Sequence, residues 1–328
     1  MNGSHGSTAP SGIDARFLTR NGHAARQLAA LLVRQGADGV GGRLPRVRDF
    51  AERLGVGNGT VQAGLRLLEE AGAIKTVARG HLGTFLVAAD RAALWRLSGL
   101  GTLLAAMPLP YSRRYEGLAT GLRVAFEDAG APFAMTFRRG AAARIAALVE
   151  GKVELAVLSR FAADRMVERQ PVELIADLGP ATYAGAHGVL LRPGATLGSP
   201  RLRVAVDDSS EDQRMLAERF FAHRTAVEWV PCSPVQLREV FAQGRADATV
   251  WNLDEVPGQL GAEVQVLPLG DELTRDLAVR HASAALIGRA QEEEEGAGAL
   301  AAVRNVLDLS TVTAVQGEVL RGERVPAY

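Results

Sequence analysis

The chain has 328 residues, 47% of them hydrophobic and 23% charged, a composition that excludes wholesale disorder and fibrous classes. At roughly 150 residues per domain the length predicts two domains. Lysine plus arginine and aspartate plus glutamate number 37 each, but the balance is uneven. Residues 1–89 hold eleven basic and six acidic side chains and the remainder is acidic, as expected where only the front meets a polyanion. A single cysteine, Cys232, excludes a disulfide framework and a multi-cysteine metal site; it reads as a small buried apolar residue. The longest apolar run, Leu97–Tyr111, is too short to cross a membrane and contains Pro108 and Pro110. With no charged-then-apolar leader before the first element, the expectation is a cytoplasmic chain without a membrane partner.

Residues 1–16 are expected to be disordered, the first twelve being small and polar. Helical spacing of Ala24, Ala25, Leu28, Leu31 and Leu32 predicts a helix over Asn21–Arg34, ended by Gly36, Gly39, Gly41 and Gly42. A second helix fits Val47–Leu54, with Val47, Phe50, Ala51 and Leu54 on one face. A third fits Asn58–Glu70, with Val61, Leu65 and Leu68 inward and Asn58 as N-cap. Ile74–Val77 and Thr84–Val87 read as two strands of a hairpin, joined by a turn over Arg79–Gly83. Three helices and a hairpin make a winged helix-turn-helix over residues 17–89, followed by a connector helix at 90–98.

Residues 99–328 alternate short apolar runs with amphipathic helices. Strands are predicted at Leu103–Met107, Phe133–Phe137, Glu154–Leu158, Val172–Ala176, Gly188–Leu191, Leu202–Val206, Val227–Val230, Asp247–Trp251 and Val264–Leu267. Helices are predicted at Glu116–Asp128, Ala141–Val149, Glu211–Ala222 and Pro234–Gln243. This alternation predicts a mostly parallel, doubly wound α/β domain of two lobes with a cleft between them. The acidic run Glu292–Glu295 reads as a solvated loop or helix start.

The stretch Arg43–Ala51, then Leu54-Gly55-Val56, Gly59-Thr60-Val61-Gln62, Leu67-Leu68-Glu69 and Gly72, with Gly83-Thr84-Phe85 at the wing, resembles the GntR family of bacterial regulators. Independently, the second helix of such a pair enters the major groove with its early residues at base edges. That places Asn58, Thr60 and Gln62 at the base edges and Arg66 one turn later, with the short Thr60 also able to bond a phosphate oxygen. Arg48 would hold phosphate or a guanine edge, as the resemblance also implies. Arg79, His81 and Gly83 would line the minor groove. GntR proteins commonly carry arginines where this chain has Asn58 and Gln62; amides favour adenine, so an adenine-dependent half-site is expected. The competing reading of a winged helix is a protein–protein module, against which stand the basic balance, Arg48 and Thr60.

The run Met107–Leu122, with Arg79–Thr84 and Val250–Glu255, is similar to the YhfZ type of GntR-like regulator. The resemblance implies a C-terminal domain similar to type 2 periplasmic binding proteins, closing on a small molecule. The expected fold is thus α/β: an N-terminal winged helix-turn-helix followed by a two-lobed α/β domain. An aminotransferase-like partner is not expected, since the only lysines are Lys75 in the hairpin and Lys152, neither in a setting for a cofactor Schiff base; no cofactor is assigned.

Ligands of open α/β sheets sit beyond the carboxyl ends of strands, at helix N-termini. The candidates there are Ser112, Arg113, Arg114, Tyr115, Arg138, Arg139 and Ser159. From the second lobe come Asp207, Ser209, Ser210, Trp251, Asn252 and Asp254. The arginines suit a carboxylate or phosphate, Asp207 or Asp254 an amine or hydroxyl, and Tyr115 or Trp251 a stacking face. Each has a plainer role: solvated surface for an arginine, helix cap for Ser209 and Ser210, core for Trp251. His187, His223 and His281 lack metal-like spacing and read as structural or surface histidines. Asp254 and Glu255 would point apart, so no acid–base pair is assigned. The expected function is that of a DNA-binding regulator, not an enzyme, whose small anionic or amphoteric effector alters operator binding by a homodimer. An enzyme on the same two-lobed fold, or a dimer that needs no ligand, are the alternatives.

Overall fold

The computed structural model describes residues 15–35, 40–224, 226–255, 260, 264–270, 272–290 and 297–328. The polar segment 1–12, Gly36, Gly39 and the Glu292–Glu295 run lie outside the described residues. Two compact units emerge. One comprises the residues up to Gly101 with Ala129–Pro132 and Ala301–Val306; the other holds Thr102–Asp128, Phe133–Leu300 and Leu307–Tyr328.

In the first unit, a short 3-10 turn at Ala15–Leu18 buries Phe17. Helix α1 (Arg20–Gln35) follows. Thr19 caps it by accepting the Gly22 N–H at 3.1 Å. Ala24, Ala25, Leu28, Ala29 and Leu32 form its buried stripe. Helices α2 (Val47–Leu54) and α3 (Asn58–Glu70) lie where the apolar periodicity puts them. Gly57, not Asn58, is the N-cap of α3: its extended backbone (φ −74°, ψ 154°) precedes the first turn, and its carbonyl accepts from Thr60 and Val61. Asn58 is therefore already inside the helix. Strands β1 (Ile74–Ala78) and β2 (Thr84–Ala89) pair antiparallel as the wing. Helix α4 (Arg91–Ser98) is not a free connector. It buries Ala93, Leu94 and Trp95, and the Trp95 indole donates to the Gly101 carbonyl at 2.7 Å.

The second unit contains β3 (Leu103–Met107), α5 (Arg113–Asp128), β4 (Phe133–Phe137), α6 (Ala141–Val149), β5 (Leu155–Ser159), α7 (Arg160–Val167) and β6 (Val172–Asp177). It continues with β7 (His187–Leu191), β8 (Leu202–Val206), α8 (Glu211–Phe220), β9 (Val227–Pro231), α9 (Leu237–Ala242), β10 (Ala248–Asn252), β11 (Gln265–Pro268), α10 (Glu272–Ala282) and β12 (Ala284–Arg289). Helices α11 (Ala297–Val306) and α12 (Leu309–Leu320) end the chain. One lobe is a five-stranded sheet in the order β4-β3-β5-β12-β6, the other a five-stranded sheet in the order β11-β7-β10-β8-β9. The chain enters the second lobe between β6 and β7 and returns between β11 and β12.

The sheets are mixed rather than mostly parallel. β3 runs parallel to β4 and β5, and β8 to β9 and β10. β12 runs antiparallel to β5 and β6, and β7 to β10 and β11. The sequence reading lacks β12 altogether, although Ala284–Ile287 are fully buried in the middle of a sheet. Such a short apolar run has no alternation to distinguish it from a buried helix. Helices α7, α10, α11 and α12 are likewise not predicted by the periodicity. α7 follows β5 without a loop, capped by the Ser159 hydroxyl accepting from the Ala162 N–H. Pro234–Gln243 is a 3-10 turn, Pro234–Gln236, running into α9. α5 and α12 pack closely at Gly117 and Gly121, where an added Cβ would come within 3.1 Å of Gln316 and 2.5 Å of the Val312 carbonyl oxygen.

Candidate functional site

The first candidate surface is the outer face of α3. Asn58, Gln62 and Arg66, spaced four residues apart, are exposed, whereas Val61, Gly64 and Leu68 are buried. Gly64 is required by packing: a Cβ there would lie 2.9 Å from Leu28 and 3.1 Å from the Ala25 nitrogen. Thr60 is half-buried at the N-terminal end, and Arg48 is exposed on α2 with its Nε 3.4 Å from Asp49. At the wing, Gly80 and Gly83 take φ of +54° and +94°, a region that glycine enters at low cost. Arg79 and His81 project there exposed, with the Arg79 guanidinium 4.6 Å from the centre of the Phe85 ring.

The second candidate is a cavity of about 130 Å³ between the lobes of the second unit. Of the residues proposed from the sequence, Tyr115 and Arg139 reach its wall from the first lobe. Asp207, Ser209, Ser210, Trp251 and Asn252 reach it from the second. Arg139 spans the lobes, its Nη2 lying 2.9 Å from both carboxylate oxygens of Asp207. Asp207 also accepts from the Ser209 N–H and hydroxyl. Ser210 caps α8 by accepting from the Gln213 N–H. Trp251 is buried among Leu190, Val240 and Phe241 while touching the wall.

The other proposed residues are engaged elsewhere. Ser112 caps the first turn of α5 by accepting from the Tyr115 N–H. Arg113 donates to Glu116 and to the Val319 carbonyl. Arg114 pairs with Asp254, Nε to Oδ2, at 2.7 Å, and that carboxylate also accepts from the Gly185 N–H. Both partners were expected to face a ligand; the fold joins them to each other. Arg138 contributes its carbonyl to Arg144 and its side chain is not on the wall. Ser159 caps α7 and donates to Asp212.

The wall also carries residues that the sequence reading did not select: Tyr111, Arg144, Tyr183, His187, Asp212 and His281. His187 and His281 are not unrelated: their ring centres are 6.2 Å apart. His281 Nδ1 is 3.7 Å from Asp212 Oδ1, and the His281 side chain is fully buried. Burial, reinforced by the neighbouring His281, drives the His187 pKa down to about 4, so this imidazole is neutral at pH 7. Burial would raise the Asp212 pKa, but His281 and the Ser159 hydroxyl hold it below the ordinary carboxylate value. The order Ser159–Asp212–His281 leaves the hydroxyl bonded to the carboxylate rather than to the imidazole, so the base that would activate a nucleophile is misplaced. Among the described residues no group of three or more His, Cys, Asp or Glu side chains is arranged to hold a metal ion. Burial also pushes the Cys232 thiol up to about 11, consistent with an unreactive packing residue. Arg144 had a legible signal: it sits on the apolar stripe of its helix with Ile145 and Leu148. The two histidines had none, since only the fold brings them together.

Two family models match successive parts of the chain. Residues 39–86 match a helix-turn-helix domain and residues 90–328 the YhfZ C-terminal domain. Protein YhfZ of Escherichia coli strain K12 is 33% identical over 315 residues, covering 95% of this chain and 99% of that protein. A 54-residue stretch is 50% identical to the HTH-type transcriptional regulator Rv1152 of Mycobacterium tuberculosis, covering 16% of this chain and 43% of that one. The crystal structure of YhfZ from Shigella flexneri superposes with a TM-score of 0.61 at 31% identity, covering 73% of this chain and 98% of that one. The periplasmic aliphatic sulphonate binding protein SsuA of Escherichia coli shares the fold of the second unit at a TM-score of 0.51 and 16% identity, over 68% of this chain and 75% of that one. No helix among the described residues is long and apolar enough to cross a membrane. With a family match from residue 90 to the last residue and a relative aligned along almost its whole length, the chain belongs to the YhfZ family.

Proposed function

We propose that the chain is a transcriptional regulator that reads an operator with α3 and binds a small anionic or amphoteric effector in the cavity of its second unit. The observation that carries this reading is the polar face of α3: Asn58, Gln62 and Arg66 stand exposed in one row on a helix held rigidly by Val61, Gly64 and Leu68. A core of that kind fixes the helix while leaving its amides clear for base edges. Arg48, Thr60, Arg79, His81 and Gly83 supply backbone and wing contacts. The amides favour adenine, and a homodimer reads two half-sites. The effector acts through a difference in affinity for two arrangements of the dimer, and the molecule works in the cytoplasm. The helix-turn-helix match and the likeness of a 54-residue stretch to a named transcriptional regulator support DNA over a protein partner.

The test is selection from random duplexes by the full chain, followed by fluorescence anisotropy at several salt concentrations. A selected site bound at least 100-fold more tightly than its scrambled version, with adenine at critical positions, is the expected result. Equal affinity for both duplexes overturns the regulator reading. Critical positions that are all G or C overturn the assignment of Asn58 and Gln62.

A further inference from the structure

The wall of the cavity contains a buried cation with no carboxylate paired to it among the described residues. Arg144, in the first turn of α6, is 3% exposed and lines the cavity. Its Nη1 donates to the Arg138 carbonyl at 2.8 Å and its Nη2 to the Tyr183 hydroxyl at 3.0 Å. Both acceptors are neutral. Its Nε–H is buried and has no hydrogen-bond partner among the described residues. A guanidinium stays charged at every accessible pH and carries five N–H donors, so three remain unused. Burying such an ion without an opposite charge costs several kcal/mol.

The neighbouring charges do not supply that opposite charge. Asp207 is held by Arg139. Glu211 is held by Arg165 at 2.5 Å, and Asp212 faces Ser159 and His281. Helix α6 opens at the same place: Gly140 and Ala141 line the cavity, and no side chain caps the helix. The positive end of its dipole thus adds to the field of Arg144. An arginine on the apolar stripe of a helix, hydrogen-bonded only to neutral groups, is poorly suited to folding and well suited to receiving an anion.

We propose that Arg144 binds the anionic group of the cavity's ligand, a carboxylate, sulfonate or phosphate chelated by its Nε–H and an Nη2–H. This rests on the effector reading above and narrows it to a small anion. A dry cavity of about 150 Å³ accepts benzene, so about 130 Å³ holds a group of about six non-hydrogen atoms or fewer. Arg139 is the lesser candidate, because its charge is already met by Asp207.

The test melts the full-length protein at constant ionic strength with acetate, methanesulfonate or inorganic phosphate, with acetamide as the neutral control. At least one anion is expected to raise Tm saturably while acetamide does not. In Arg144→Met the anion response is expected to vanish, and the ligand-free variant to melt at or above wild type, because removal of an unpaired buried charge relieves the free protein. Should Arg144→Met fail to fold, Arg144→Lys keeps the charge but loses the fork, and is expected to weaken the anion by about 10-fold or more. Three results overturn the proposal: no anion shifts wild type, acetamide acts as acetate does, or the response survives in Arg144→Met or, where that variant does not fold, in Arg144→Lys. Anisotropy on the selected duplex separates the two readings. Wild type that shows the anion shift but no sequence preference removes the regulator and keeps the Arg144 site.

Discussion

The exposed face of α3 and the wall of the cavity both carry candidate polar side chains, but they are assembled in opposite ways. Asn58, Gln62 and Arg66 lie within one helix, and helical spacing alone aligns them. The cavity joins residues far apart in the chain: Arg139 meets Asp207, and Asp212 meets His281. Adjacent residues there part company, as Arg138 and Arg139 do. A surface drawn from one helix can be read from a pattern. A surface drawn from two lobes depends on how the sheets are threaded.

The sharpest way to test that contrast is to break the packing beneath each surface. Gly64→Val places a side chain against Leu28 and the Ala25 backbone, and Gly121→Val places one against the Val312 backbone. Each is expected to cost about 3 kcal/mol or more, measured by urea unfolding of the full chain. Because the two sites lie in different compact units, Gly64→Val is expected to lose DNA binding while an anion still shifts the remaining thermal transition. Gly121→Val should do the reverse. If both variants lose both activities, the two units do not fold independently.

Next in size is the ion cluster beneath the second lobe. Asp247 accepts from Arg192 and from Arg203. Burial alone would raise its pKa, but these bonds pull it down to about 2 from 3.8. The folded state therefore releases the proton more readily than the unfolded chain. The stability gained is complete above about pH 4 and is lost as pH falls through about 2. Asp247→Asn is expected to destabilise by about 2 kcal/mol at pH 7 and to flatten that acid limb.

On α3, Asn58→Ala and Gln62→Ala are each expected to reduce discrimination at one base pair by about 1–3 kcal/mol. Arg48→Ala is expected to weaken all duplexes alike and to lower the salt slope by about one. Uniform weakening by Gln62→Ala would assign that residue to the phosphate backbone instead. At neutral pH the smallest effect is expected at His187, whose titration acts only in acid. Its folded pKa of about 4 lies below the ordinary 6.5, so between these values the unfolded chain binds the extra proton and the fold loses stability as pH falls. Thermal melts of His187→Gln across that window should show a shallower decline than wild type; an equal slope would place the titration elsewhere.

Where sequence reading failed, the failures share a cause. β12 is an apolar run buried in mid-sheet and carries no period of its own. It runs antiparallel because the chain returns from the second lobe, a fact of topology rather than of local preference. Asparagine favours a cap position, which points to Asn58, but the backbone of Gly57 supplies the extended conformation. Arg113 and Arg114 open the same helix, yet the turn of about 100° per residue sends one to the Val319 carbonyl and the other to Asp254.

By itself the sequence determined the helices and wing of the first unit, the alternation behind the second, and the resemblance that joins them, because each depends on contacts a few residues long. The tertiary structure alone decided that His187 stands beside His281, that Arg114 belongs to Asp254, and that the stripe carrying Arg144 borders a cavity. Those outcomes depend on which segments two returning chain crossings bring together, and no local spacing encodes them.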